Sequence, residues 1–573
     1  QYLDGLRLFS GAYYAVQKID PFLLDGYQVL KGPPSVLYGQ SSPGGIIALT
    51  PKAPTAARVR DAEIEGGTFG YVRGTADLGG RIDESGHWLF RLPVTGTTSG
   101  SQDRNTHTDT VAAMPSLSWL PTDRDTLTVT GLVQWDPRGG DYNTAPINGT
   151  ILPNPNGRFE NDYYPGDRKF ETFDQTQLAI GYRYEHRFNP DWSFRSLGRY
   201  ADVGEQYQQV YGSGILDADL RTDGRYTAAS KEHFDTITLE QQLVGHVDTG
   251  PVRHSLLFGV NWQNLRDHYN FYGGTAPSID AFAPNNDQPI PAPTLSLDRG
   301  VSTNQEGIFA QDEMVLGRLH GQIGVREDWS EIATRDVLYP STDTDQGDRA
   351  FTWRAGILYA LPQGVSPYFN YARSFQPTNQ TDFFGTPFKP TRGEQYEVGV
   401  KYQPNGFNGF FTAALFHLRE NDALAPDPDP THLFASVQTG AIRSQGVELE
   451  MHAFITRELY VQGSYTYQDV SYVGGGNGAL EGKRPTWDPA QFFSLRTHYA
   501  VQHGRLNGFG FGAGLRYEGN TVAYDSGDGP IYGTPSFALV DAEASYALGG
   551  LLPALRSAVL QVTAQNLLDT RTI

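Results

Sequence analysis

From about residue 58 onward, apolar and polar positions alternate with a period of two, in stretch after stretch separated by clusters of Gly, Pro, Asn and Asp. Successive side chains of a strand point to opposite faces, so each stretch predicts a strand with one apolar and one polar face. In 71–78, Val72, Gly74, Ala76 and Leu78 share one face, and Tyr71, Arg73, Thr75 and Asp77 the other. In 396–402, Tyr396, Val398, Val400 and Tyr402 oppose Glu397, Gly399 and Lys401. In 447–453, Val447, Leu449, Met451 and Ala453 oppose Glu448, Glu450 and His452, and 459–467 repeats the scheme. Any one of these strands would suit a soluble sandwich. The series says more: charged residues oppose apolar ones over many strands, with Tyr or Phe at strand ends. That is the pattern of an outward apolar band with aromatic girdles around a polar lumen.

The connections are uneven. Long loops are expected at 136–169, 207–231, 268–298, 373–392 and 421–441, with short turns elsewhere, as in outer-membrane barrels with long loops on one rim. Residues 1–57 lack the long alternating strands and carry a dense Gly- and Pro-rich run, Lys31 to Gly45, so they read as a separate small domain. The expected fold is all-β: a large antiparallel transmembrane β-barrel over 58–573, with 1–57 as the C-terminal part of a plug. A barrel of about 22 strands has a lumen wide enough to need one. Gln1-Tyr2-Leu3-Asp4-Gly5 reads as the middle of a folded segment, and Arg571-Thr572-Ile573 stops where a last strand is expected.

Composition narrows the choice. The 65 Gly, 32 Tyr and 31 Phe favour turns and strands over helices. With no Cys there is no disulfide framework, zinc-thiolate site or thiol nucleophile. No run of about 18 apolar residues offers a helical membrane span. A net charge of -20 argues against a nucleic-acid surface, which needs clustered Lys and Arg.

At Lys31-Gly32-Pro33-Pro34-Ser35-Val36-Leu37-Tyr38-Gly39, followed by Pro43-Gly44-Gly45, the sequence resembles the plug of TonB-dependent siderophore receptors. Four further segments look like barrel signatures of that family: 367–377, 392–402, Ser444-Gln445-Gly446-Val447-Glu448-Leu449-Glu450 and Asn566-Leu567-Leu568-Asp569. Together they span the chain in family order. Tyr2-Leu3-Asp4-Gly5-Leu6-Arg7-Leu8 and Ile19-Asp20-Pro21 are most similar to the ferric hydroxamate (ferrichrome-type) receptors. The family's TonB-binding box, the first half of its plug and its aromatic-terminated closing strand are absent from the sequence.

The resemblance implies a monomeric receptor in the outer membrane of a Gram-negative bacterium, surrounded by lipid. It implies import of a ferric siderophore with energy from TonB and its inner-membrane complex. Iron travels inside the cargo, so no cofactor or metal ligand is expected of the protein. It places Tyr13 and Tyr14 on an apical plug loop that touches cargo, and Tyr142, Tyr211 and Tyr272 on extracellular loops. Tyrosine suits this role, joining a rigid apolar face to a hydroxyl. Thr144 and Ser213 stand where the pattern has aromatics. The family also pairs basic plug residues with barrel glutamates, at positions matching Lys31 with Glu397 and Glu448. Alternation independently points both glutamates into the lumen.

Three rivals remain at this point. A receptor for haem, cobalamin or a glycan would share the fold. A β-rich hydrolase could use paired carboxylates, but no pair is singled out and no catalytic motif occurs. A passive porin would lack the 31–45 run.

Overall fold

The computed structural model describes all residues except 141, 143, 144, 161, 428, 430, 433, 434, 439, 475–479, 525–530, 551, 553, 554 and 573. One long antiparallel sheet curls into a barrel whose strands follow one another in sequence order, from Val59–Gly66 to Val559–Ala564. Among the described residues the wall has twenty-two strand segments. His107–Ala113 and Ser116–Thr122 are halves of one strand, because both pair with the same two neighbours. Pro115, which has no N–H to donate, sits at the break. At the seam, the first and last strands carry exposed Ile64, Val559, Leu560 and Val562.

The expected faces are observed. Val72 and Leu78, Val398 and Val400, and Leu449 are exposed on the outside, whereas Thr75 and Asp77 are buried on the inside. Exposed Ile180, Ile357 and Leu415 extend this apolar outer surface, which only lipid can cover at low cost.

The expected loops need correction on one side of the barrel. Residues 207–231 are mostly strand: Trp192–Leu216 and Thr222–Thr249 leave only 217–221 as a turn. Likewise Val252–Asp280 and Thr294–Leu316 absorb both ends of 268–298. These strands have 25, 28, 29 and 23 residues, where a membrane crossing takes about 9–11. Above the bilayer the outward side chains meet water, so they become polar and the alternation that marks a strand fades.

Inside the barrel, residues 1–51 form a four-stranded sheet, β1 (Tyr2–Leu3), β2 (Leu6–Arg7), β3 (Leu24–Lys31) and β4 (Gly45–Pro51), in the order β2-β1-β4-β3. The plug shares its core with the wall. Leu3, Leu8 and Leu23 cluster with Met114 and Leu132, and Phe9 and Ala15 with Val203, Phe234 and Leu265.

The 31–45 run seats the plug. Ser35–Tyr38 form one helical turn. The Ser35 hydroxyl accepts the Phe375 N–H at 3.3 Å, and the Ser41 N–H donates to the Phe375 carbonyl at 3.0 Å. Pro43 lies so close to Gly393 that a Cβ there would stand 2.5 Å from the proline ring. At another corner the chain leaves the plug: Asp20 pairs with Arg73 at 2.6 Å, Lys52 with Asp77 at 3.0 Å, and the Lys52 ammonium sits 3.6 Å from the Phe22 ring centre.

Candidate functional site

The plug loop expected at the apex, residues 10–16, is a tight loop closed by pairing of Ser10 with Val16 and by the Gly11 N–H donating to the Ala15 carbonyl at 2.8 Å. So short a loop leaves its N–H groups turned outward, where they need acceptors. The wall supplies carboxylates. Glu232 accepts from the Tyr13, Tyr14 and Ala15 N–H groups at 2.8, 2.6 and 2.5 Å, and Asp267 accepts from Ala12 at 2.7 Å. Gly11 permits the approach, since a Cβ there would lie 2.2 Å from the Glu232 carboxylate. Below, Gln175 and Gln177 accept the N–H groups of Val16 and Lys18, both at 3.1 Å.

With its backbone gripped, the loop presents two rings. Tyr13 stacks on Tyr269 at 5.3 Å and meets Phe271 at 4.9 Å. Tyr14 lies 4.3 Å from Tyr207 and 5.8 Å from Tyr142, whose N–H donates to Gln209 at 3.0 Å. Tyr211, paired with Tyr226 at 5.8 Å, is close enough to act electrostatically on both plug tyrosines. Burial, then the neighbouring Tyr14, pushes the Tyr13 hydroxyl well above its usual range, and burial raises Tyr14 too. Both therefore stay neutral, able to donate and accept.

Four of the five expected tyrosines thus gather at the apex. Tyr272 does not. The inward series on its strand is Leu265, Asp267 and Tyr269, all buried, followed by Phe271 against Tyr13, so alternation turns Tyr272 outward. Thr144 lies outside the described residues. Ser213 builds the rim, its hydroxyl donating to Asp223 at 2.9 Å, an acceptor shared with the Tyr163 hydroxyl at 3.0 Å.

On the other side of the loop lies a cavity of about 520 Å³ between the plug and the wall, lined by Arg7, Gly11, Gln40, Thr378, Gln380 and Glu420 among others. Arg7 is held over the Phe9 ring at 5.0 Å, and its Nη1 has no hydrogen-bond partner among the described residues. A buried guanidinium N–H left free is costly, so it favours an oxygen-bearing ligand. Among the described residues no group of three or more His, Cys, Asp or Glu side chains could hold a metal.

The plug lock differs in one partner from the expectation. Lys31 bonds Glu448 at 3.0 Å and Glu450 at 2.5 Å. Glu397 instead accepts the Tyr368 hydroxyl at 2.6 Å and the Gln395 amide at 3.0 Å. Glu448 and Glu450 are two apart on one strand, so one ammonium reaches both. Burial lowers the Lys31 ammonium, but its bonds to Glu450 and Glu448 outweigh this and raise it above 10.5.

Sequence reasoning missed Glu232, Asp267, Tyr207, Tyr269, Phe271, Arg7 and Glu450 as site residues. Glu450 already stood on the inward face of its predicted strand. The others on the wall lay in or beside stretches read as loops, although Tyr269 and Phe271 alternate with His268 and Asn270.

A strand-built barrel with an apolar outer face, filled by a plug that offers an aromatic apex beside a polar cavity, defines a gated transmembrane receptor. Comparison with known proteins gives the family. The family described as "TonB dependent receptor-like, beta-barrel" matches residues 116–567, and "TonB-dependent Receptor Plug Domain" matches 1–46. The chain is 33% identical over its whole length to the "Ferrioxamine B receptor" of Salmonella typhimurium, covering 80% of that protein. It is 30% identical over 99% of its length to the "Ferrichrome outer membrane transporter/phage receptor" of Escherichia coli, covering 78% of it. Among solved structures, the ferric-catecholate import receptor Fiu from E. coli matches all of the chain and 85% of its own, with a TM-score of 0.85 at 22% identity. The chain belongs to the TonB-dependent receptors, and it is a protein of the bacterial outer membrane.

Proposed function

We propose that this receptor binds a ferric hydroxamate siderophore at the plug apex and imports it through the lumen. The observation that carries the reading is the gripped loop 10–16, which sets Tyr13 and Tyr14 against wall aromatics while its Ser10, Gly11 and Ala12 line a cavity of about 520 Å³. That volume lies in the range of small-molecule sites, about 300–1,000 Å³. The curated relatives named for ferrioxamine B and ferrichrome support the cargo class. A siderophore satisfies iron with its own oxygens, which fits a site of rings, amides and one guanidinium. Transport breaks no bond, so the protein is a receptor rather than an enzyme. TonB supplies the energy by drawing on the plug, and cargo contact with the apical loop is the event that primes it.

Fluorescence quenching of the refolded protein, titrated with ferric ferrichrome, ferrioxamine B and a catecholate complex, tests the reading. Tight binding of a hydroxamate that weakens in Tyr14→Ala supports it. Binding of the catecholate alone sinks the cargo class.

A further inference from the structure

The cavity beside the apical loop contains two charges of opposite sign, and neither is matched by a counter-charge among the described residues. Arg7 is the cation, on the plug side. The anion is Glu420, on the wall strand Gly409–Asn421. Its strand neighbours are Gly393 and Ile442, neither of which can answer a carboxylate with a side-chain donor. Nearby Arg392, Arg419 and Arg443 each sit one position out of register with the inward series, so alternation turns them to the outer face. The Glu420 side chain makes no hydrogen bond or ion pair with any described residue.

A carboxylate kept on a cavity wall without a cation is a cost to the empty receptor, and a cargo cation removes that cost. Iron chemistry selects among cargoes. Three hydroxamates neutralise one ferric ion, so the net charge of such a complex is that of its side arms. A tris-catecholate complex is strongly anionic and would be repelled.

We propose that Glu420 recognises a protonated primary amine on an arm of the hydroxamate cargo, while the iron-bearing end faces Arg7 and the apex. This rests on the reading of the site as a hydroxamate site and sharpens it: the favoured cargo is a linear hydroxamate with a free amine rather than a neutral cyclic one. Glu420 acts as a specificity residue.

The test uses the full chain refolded in detergent and two probes, ferric desferrioxamine B and its N-acetylated derivative, which differ in one positive charge and keep the same iron core. The amine form is expected to bind about ten-fold tighter, the size of one partly desolvated charge pair, and Glu420→Gln is expected to remove most of that difference by weakening the amine form. Equal affinity of the wild-type protein for the two probes overturns the proposal and leaves the hydroxamate reading standing. That comparison needs no variant, so poor folding of Glu420→Gln does not block it. Retained preference in a folded Glu420→Gln protein also overturns it. Failure to bind either probe, with ferric ferrichrome still bound, overturns this proposal alone; failure to bind ferric ferrichrome as well overturns the hydroxamate reading with it.

Discussion

The backbone N–H of Tyr14 donates to the Glu232 carboxylate at 2.6 Å, across 218 residues of sequence. A wall side chain thereby sets where a plug ring stands. Hydrogen bonds to a charged acceptor contribute about 1.5–3 kcal/mol each, and Glu232 accepts three. Glu232→Ala is expected to loosen the loop and weaken hydroxamate binding at least ten-fold, with Glu232→Gln intermediate. Gly11→Ala, which drives a methyl group into the same carboxylate, should resemble Glu232→Ala. Quenching titrations check all three, and wild-type affinity in Glu232→Ala would remove the residue from the site.

The rings themselves separate by face. Tyr14→Ala or Tyr13→Ala removes aromatic contacts worth about 0.5–1.5 kcal/mol each beyond buried area, and both should raise the dissociation constant. Tyr272→Ala should not, because its ring is turned away. A comparable loss in Tyr272→Ala would show that the outward placement is mistaken.

The lock is modest in energy. Lys31, Glu448 and Glu450 are all partly exposed, and such pairs contribute about 1 kcal/mol or less. Double-mutant cycles of Lys31→Met with Glu450→Gln, read by denaturant-induced release of the plug, should give a coupling of that size. The same cycle with Glu397→Gln should give none. The folded Lys31 value lies above the unfolded 10.5. Its contribution is therefore complete below pH 10.5 and lost only as pH rises through the higher folded value, so the coupling between Lys31 and Glu450 should be flat through neutral pH.

Seating of the plug depends on space at Gly393. Gly393→Val puts a branched side chain against Pro43, where even a Cβ would be at 2.5 Å. Overpacking of this kind costs about 1–3 kcal/mol. Hydrogen exchange of the plug sheet should quicken while the barrel strands stay protected. Unchanged exchange would mean that the run 31–45 does not depend on this contact.

The outer band is testable by charge. Arginine at Leu415 or Ile357, both exposed on the wall, should cost about 2–4 kcal/mol near the bilayer midplane, measured by refolding into lipid vesicles.

Much of this molecule is legible in its sequence because a barrel wall writes its two environments directly into alternation. The period-two pattern alone assigns Val398 to lipid and Glu397 to the lumen. Alternation needs a contrast between faces, however, and the strands near Tyr207 and Tyr269 rise to where both faces meet water or protein, so they read as loops. The carboxylate grip is hidden for another reason. Glu232 and Asp267 look like any lumen charges until a distant loop brings its N–H groups against them. The resemblance to a family supplies the apex, Lys31 and Glu448, but it names Glu397 as the second partner, where the strand that carries Glu448 also brings Glu450 to the ammonium.

The corner formed by Asp20, Phe22 and Lys52 with Arg73 and Asp77 lies where the chain passes from plug to wall. Of the places that hold the plug, the grip on loop 10–16, the seat at Phe375 and the Lys31 lock can each part completely, because they are non-covalent. At this corner the chain itself continues into the wall, so ions and an aromatic ring there reinforce a connection that cannot be broken by separation alone.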